Sequence, residues 1–144
     1  IFAIHDSDQR CVGMFVLFPE GSATLDDKSK KELLRFVREV RGKPYKIEIR
    51  GHASRRPSAK GDGPQDPWKL SYTRCQATMK YLEEQGLEPD RIRLSQGGPY
   101  EPFSINADPT KQAFNSRVEV HMLSEYAEEL MGTPEERARR YFIP

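Results

Sequence analysis

The feature that most constrains this fold is a strict two-residue alternation that precedes a helical pattern. Within Tyr45–Gly51, Ile47 and Ile49 point to one side, while the charged residues between them point to the other. This pattern is typical of a strand with one buried and one solvated face. Apolar residues at helical spacing follow in Trp68–Gln85. A sheet with one apolar face needs a covering layer, and this helix is a candidate for it.

The same reasoning predicts six elements in the order β-α-β-α-β-β. The predicted strands are Val12–Phe18, Tyr45–Gly51, Arg91–Ser95 and Arg117–Leu123, and the helices are Thr24–Arg41 and Trp68–Gln85. The economical arrangement is an α+β two-layer sandwich, with both helices on one face of a four-stranded mixed sheet. The β-α-β connections imply some parallel pairing with right-handed crossovers.

Three regions are predicted along the chain. Residues 1–10 form an irregular lead-in, residues 11–124 form the α+β domain, and residues 125–144 form a helical extension. In the extension, Glu125–Met131 continues helically and Thr133-Pro134-Glu135-Glu136 carries a helix-start signal. The extension either docks on the domain through apolar side chains or binds a partner; the docking candidates are Tyr126, Leu130, Tyr141 and Phe142.

Composition excludes several function classes. The formal net charge is only +1, with charged residues at 31% of the chain, which argues against a nucleic-acid-binding surface. No apolar run approaches the roughly 20 residues that a membrane-spanning helix needs. The chain begins at Ile1 without signal-peptide features. We therefore expect an excised domain whose membrane attachment lies only in a segment outside this chain.

Catalytic and metal-binding patterns are missing from the sequence. The histidines, His5, His52 and His121, lack metal-ligand spacing, and no nucleophile elbow, phosphate loop or dinucleotide motif is present. We therefore expect no enzymatic activity, no metal and no cofactor. Cys11 and Cys75 are expected to be small buried residues, although a disulfide between them stays open.

An ordered set of three motifs carries a family resemblance. The motifs are Ile47-Glu48-Ile49-Arg50-Gly51-His52-Ala53-Ser54, Trp68-Lys69-Leu70-Ser71-Tyr72-Thr73-Arg74 and Asn115-Ser116-Arg117-Val118-Glu119-Val120. Together they resemble the C-terminal domain of the OmpA/MotB family, over roughly Cys11 to Ser124. The resemblance implies an OmpA-like fold and a periplasmic domain that binds peptidoglycan without catalysis. Such a domain anchors a membrane protein to the cell wall.

The resemblance also implies a ligand site for the peptidoglycan stem. The free head of a diaminopimelate stem carries an ammonium beside a carboxylate, and an arginine fork suits the carboxylate. Arg74 matches the family's carboxylate-binding arginine through Leu70-Ser71-x-x-Arg74, and we expect it to point into a loop-walled cleft. Ala53, Leu70 and Trp68, with the backbone amides at the start of the second helix, belong to the same expected site.

The chain departs from the family at the ammonium end of this site. Ser54 stands where the family has aspartate, and Pro67 stands where it has asparagine. Asp62 and Asp66, in the same loop, are candidates for the missing carboxylate, and Ser54→Asp is expected to strengthen binding by restoring a charge.

Three further residues complete the expected site. His52 and Asn115 are expected to support its loops structurally. Arg117 matches the family's second arginine, as a ligand contact or as a structural charge, and Ser116 replaces the first arginine.

Two classes of parent protein are open. Trp68-Lys69-Leu70-Ser71 resembles the flagellar stator branch, whose members work as dimers and are anchored in the inner membrane. A lipoprotein or porin parent in the outer membrane is the other class. The alternative function is an OmpA-like interaction or dimerisation module that has lost peptidoglycan binding, which the departures at Ser54 and Pro67 and the added tail favour.

Overall fold

The computed structural model describes residues 2–3, 10–55, 62–102, 113–127, 133 and 135–136. These residues form a sheet and two long helices. The elements are β1 (Phe2–Ala3), β2 (Arg10–Leu17), α1 (Asp27–Val40), β3 (Tyr45–His52), α2 (Pro67–Glu84), β4 (Ile92–Gly98) and β5 (Arg117–Tyr126). Short 3-10 turns at Pro89–Arg91 and Ala113–Asn115 precede β4 and β5. In this part of the chain, no helix is long and apolar enough to cross a bilayer.

The sheet is mixed, with the strand order β1-β2-β5-β3-β4. Among the described strands, only β3 and β4 pair in parallel, with Ile49 beside Leu94, while β5 runs antiparallel to both β3 and β2. This confirms the predicted α+β class and the four main strands. The two-residue β1 adds a short edge to β2, so the lead-in is not wholly irregular as predicted.

One apolar core lies between the sheet and the two helices. Leu33 and Phe36 of α1 are fully buried, as are Cys75 and Leu82 of α2. The sheet contributes the alternating residues Met14, Val16, Ile47, Ile49, Val118, Val120 and Met122. Because residues of both helices and one alternating face of the sheet form a single cluster, both helices cover the same face. Burying each large side chain of this kind contributes about 2 kcal/mol.

Both helices begin at an aspartate cap. The Asp26 carboxylate accepts a hydrogen bond from Ser29 N at 2.7 Å, which lowers the pKa of Asp26, so α1 begins after the predicted Thr24. Asp66 accepts from Trp68 N at 2.9 Å, and Pro67 occupies the first helical position of α2. Each cap satisfies one of the amide groups that a helix start leaves without an intrahelical partner.

The last strand continues past the predicted boundary at residue 124. We predicted a helix from Glu125, but β5 extends through Tyr126 because its backbone still pairs there with Tyr45, and the two rings stack 5.1 Å apart. Ala127 is buried and donates to Pro44 O at 2.7 Å. The domain therefore includes Ala127. Leu130, Tyr141 and Phe142 lie outside the described residues.

Candidate functional site

Three segments meet at the carboxyl end of β3: the loop after β2, the residues after His52 and the first turns of α2. Gly51 makes this meeting possible. A Cβ atom on Gly51 would lie 2.2 Å from the backbone oxygen of Ser71 and 2.7 Å from Cys75 Sγ. Glycine therefore lets α2 pack directly against the end of β3, and this close approach places the first motif beside the second.

Arg74 joins these segments from within α2. Its Nε donates to Ser22 O at 2.7 Å and its two terminal nitrogens donate to His52 O at 3.0 Å and Pro19 O at 3.1 Å. The guanidinium also lies over the Phe18 ring, with Cζ 5.3 Å from the centroid. One side chain thus ties the loop after β2 to the end of β3.

The predicted exposure of Arg74 is wrong. We expected its side chain to point into an open cleft, but the residue is fully buried and a ligand cannot touch it in this conformation. The cause is the loop Pro19–Ser22, whose carbonyl groups cover the guanidinium. Burial lowers the pKa of Arg74 to about 10, against the opposing effect of the Glu20 charge, so the group stays protonated at neutral pH.

An exposed carboxylate that sequence reasoning missed stands beside Ser54. The hydroxyl of Ser54 donates to Glu20 Oε1, and the hydroxyl of Ser116 donates to Glu20 Oε2 at 3.1 Å. Glu20 itself is exposed, whereas Ser116 is buried. In sequence, Glu20 is an ordinary loop acid between Pro19 and Gly21, and no local pattern marks it. Its position follows only from the tertiary arrangement of three distant segments.

The two aspartates proposed for the ammonium hold the loops in place. Asp62 accepts from the Thr24 hydroxyl and, at 3.4 Å, from Ala23 N, and these contacts lower its pKa. Asp66 caps α2. Gly63 N donates to Gly21 O at 2.9 Å, so the loop that precedes α2 lies against the loop that follows β2. Both aspartates are exposed, and each already has a structural partner.

An aromatic surface lies at the start of α2. Trp68 is 45% exposed and its ring centroid lies 5.9 Å from that of Tyr100, which is 69% exposed. Gly98 has φ +54°, and a Cβ there would lie 2.6 Å from the Trp68 ring. Of the other predicted contacts, Leu70 is fully buried and Ala53 is nearly so, with Ala53 N donating to Gly98 O at 3.1 Å. These two support the site from below.

Arg117 lies on the face of the sheet opposite the two helices, in a largely buried charge cluster. It donates through Nε to Glu119 Oε2 at 2.9 Å and bonds the carbonyl groups of Phe114 and Glu101. His52 Nε2 lies 3.0 Å from Glu119 Oε2, and His121 Nε2 lies 3.0 Å from Glu119 Oε1. The structure therefore places Arg117 among structural charges.

The environment of Glu119 fixes its charge. Burial alone would raise the pKa of this carboxyl, but the imidazoles of His121 and His52 and the charge of Arg117 outweigh that effect and hold it well below the usual range. His52 and His121, which are far apart in the sequence, therefore lie against the same carboxylate. His52 also serves the site through its backbone oxygen, and Asn115 ends the 3-10 turn that leads into β5.

The described residues contain no group of three or more histidine, cysteine or acidic side chains suited to a metal ion. Cys75 is a free thiol, so no disulfide joins it to Cys11. Burial raises the pKa of the Cys75 thiol to about 12, with a smaller opposing effect from Arg50. Among these residues, the exposed groups at the carboxyl end of β3 are the carboxylates of Glu20, Asp62 and Asp66, hydroxyl groups and aromatic rings.

Comparison with known proteins gives one family and many similar structures. The sequence model of the OmpA family matches residues 17–116. No curated protein matches this chain significantly.

Three solved structures illustrate the similarity. The periplasmic domain of Helicobacter pylori MotB is 18% identical with a TM-score of 0.71, over 98% of this chain and 100% of that one. A putative MotB-like protein from Desulfovibrio vulgaris is 25% identical with a TM-score of 0.65, over 79% and 74%. The peptidoglycan-associated lipoprotein from Burkholderia pseudomallei is 18% identical with a TM-score of 0.63, over 76% and 87%.

Proposed function

This chain belongs to the OmpA family, and we propose that it is a periplasmic domain that binds peptidoglycan and tethers a membrane-anchored protein to the cell wall. Domains of this family bind without catalysing a reaction, and this one is non-enzymatic. The observation that carries the proposal is the family match, because it spans all three elements that build the candidate site.

The geometry of the exposed groups supports a stem-peptide ligand. Glu20 and Ser54 offer hydrogen-bond acceptors at one side of the site, and the exposed Trp68 offers an apolar face at the start of α2. These groups suit the ammonium and the hydrocarbon stem of a short peptide better than a large apolar partner. In this proposal the ligand contacts Ser54, Trp68, Asp62 and Asp66 from outside, while Arg74, Ala53, Leu70 and His52 form the support beneath them.

We propose a parent protein of the flagellar stator type that works as a homodimer and is anchored in the inner membrane. Similarity to MotB domains over nearly the whole of this chain supports this class. The similarity to a peptidoglycan-associated lipoprotein supports wall binding in either class of parent.

Co-sedimentation with purified sacculi tests the proposal. We expect the chain to pellet with sacculi at low and at moderate salt, and free stem peptide to release it. Nonspecific attraction between exposed charges would fade at moderate salt, since screening acts over roughly 8–10 Å. Failure to pellet at low salt would overturn the proposal.

A second candidate function is a protein-interaction or dimerisation module without a wall ligand. The burial of Arg74 favours it, because a buried guanidinium cannot clamp a ligand carboxylate. Light scattering of the chain with and without residues 128–144 tests it. Self-association that depends on those residues, together with no binding to sacculi, would establish this second function in place of the first.

A further inference from the structure

Glu20 is the best-positioned exposed anion at the carboxyl end of β3. Its two carboxylate oxygens accept hydrogen bonds from hydroxyls that lie 34 and 96 residues further along the chain, on Ser54 and Ser116. Both serines stand where the family resemblance leads us to expect a charged residue. The side chains at these two departures from the family pattern therefore donate to the same carboxylate, that of Glu20, which lies in a third segment.

The backbone that carries Glu20 is fixed on both sides. Pro19 O and Ser22 O both accept hydrogen bonds from the buried Arg74, and Ser22 N donates to Pro19 O at 3.0 Å. A charge held in this way loses little conformational freedom when a ligand binds. The position of Glu20 therefore depends on Arg74, a fully buried residue that holds the loop carrying this exposed charge.

The chemistry that this group presents outward is that of hydrogen-bond acceptors. A carboxylate has about four acceptor positions, and the two serines occupy two of them. The Ser54 proton is directed to Glu20, so the remaining lone pairs of that hydroxyl also accept. A primary ammonium, with three donors and a positive charge, matches a carboxylate beside such a hydroxyl.

We propose that Glu20, positioned by Ser54 and Ser116, binds the free ammonium of the peptidoglycan stem in place of the aspartate that Ser54 replaces. This inference rests on the proposed function and adds the residue that selects for a free amine. It also changes the reading of Ser54→Asp: that substitution removes the hydroxyl that positions Glu20 and places a second carboxylate beside it, so it is not a simple restoration of the missing charge.

Titration calorimetry with two synthetic stem peptides tests the inference. One peptide keeps the free side-chain amine of diaminopimelate and the other carries it acetylated. We expect Glu20→Gln to weaken binding of the free-amine peptide by about tenfold to a hundredfold, because a charge-assisted contact is lost. Binding of the acetylated peptide stays unchanged. Glu83→Gln is the control: it removes an exposed charge near the end of α2, and we expect it to leave both affinities at the wild-type value.

A charge swap separates a ligand contact from a structural role. The double variant Glu20→Gln with Ser54→Asp restores one carboxylate at the neighbouring position, and we expect it to recover most of the affinity for the free-amine peptide. Thermal denaturation of each variant checks that the fold is retained. Loss of binding through unfolding would instead lower the affinity for both peptides equally.

The outcomes are distinct. If the wild type binds neither sacculi nor either peptide, the proposed function is wrong and this inference is overturned with it. If the wild type prefers the free-amine peptide and Glu20→Gln leaves that preference intact, wall binding stands and the inference alone is overturned. Equal binding of both peptides by the wild type would also overturn it.

Discussion

Arg74 Nε donates to the backbone oxygen of Ser22 at 2.7 Å, a bond between residues that are 52 positions apart. This buried contact fixes the loop after β2 against α2, and a neighbouring nitrogen of the same guanidinium holds the end of β3. The arginine of the second motif is therefore the structural centre of the site, and the groups that a ligand can reach are arranged around it.

Replacing Arg74 should destabilise the domain. Arg74→Met leaves three carbonyl groups without their donor, and the two buried ones, on Ser22 and His52, each cost about 1 kcal/mol or more, so the free energy of unfolding should fall by about 2–3 kcal/mol. Arg74→Lys should recover only part of this loss, because one ammonium cannot reach three separate carbonyl groups. Urea denaturation measures both, with Arg35→Met at an exposed position of α1 as the control. Unchanged stability in Arg74→Met would contradict the structural role.

Gly51→Ala should separate α2 from the end of β3. The added methyl would lie 2.2 Å from a backbone oxygen that cannot move without shifting the helix, so we expect a loss of about 2–3 kcal/mol. Gly42→Ala is the comparison, since nothing lies within 4 Å of its Cβ position and only its φ of +81° opposes the change, at about 1 kcal/mol. Thermal melts of the two variants measure the difference. Equal losses would show that packing against Ser71 is not limiting.

Most of the fold could be predicted from periodicity. The alternation in Tyr45–Gly51 and the helical spacing in Leu33, Phe36 and Val37 are local patterns, and the structure places these residues in one core. Element ends were less certain because tertiary contacts decide them. β4 begins at Ile92 because Arg91 lies in a 3-10 turn, and it continues to Gly98. β5 extends beyond its predicted end because its backbone still pairs with β3.

The motifs predict where the candidate site lies, but they do not predict which of its side chains are exposed. The sequence does not show whether an arginine is buried. Arg74 and Arg91 are buried, whereas Arg93 is exposed. Arg91 donates to the backbone oxygens of Tyr45 and Val40. Glu20 carries no pattern at all. The role proposed for it depends on its tertiary proximity to Ser54 and Ser116, which no spacing rule can reveal.

Acid should remove the stabilisation that Glu119 provides. Its folded-state pKa lies below the unfolded value of about 4.3, so its contribution is fully present above that pH and is lost as the pH falls toward the folded pKa. We expect Glu119→Gln to lower the unfolding free energy by about 3 kcal/mol at pH 7, and this deficit to shrink below about pH 4. Urea denaturation across pH 2–7 measures it. A deficit independent of pH would contradict an ionised Glu119 held by its three cationic and imidazole partners.

Cys75 should be unreactive in the native domain. Its thiol is fully buried and has a pKa raised to about 12, so almost no thiolate forms at pH 8. In a Cys11→Ser background, we expect a thiol reagent to label Cys75 slowly in buffer and stoichiometrically in denaturant. Rapid labelling of the native protein would show that α2 does not stay packed against β3.

The most direct test of ligand binding at the carboxyl end of β3 is a map of backbone amide shifts. The ¹⁵N-labelled chain is titrated with a soluble stem peptide that carries a free diaminopimelate amine. We expect saturable shifts in Glu20, Ser54 and Trp68, and none around the Tyr45–Tyr126 stack at the other end of the sheet. Saturable shifts centred on that stack, or no shifts at millimolar peptide, would contradict binding at the carboxyl end of β3.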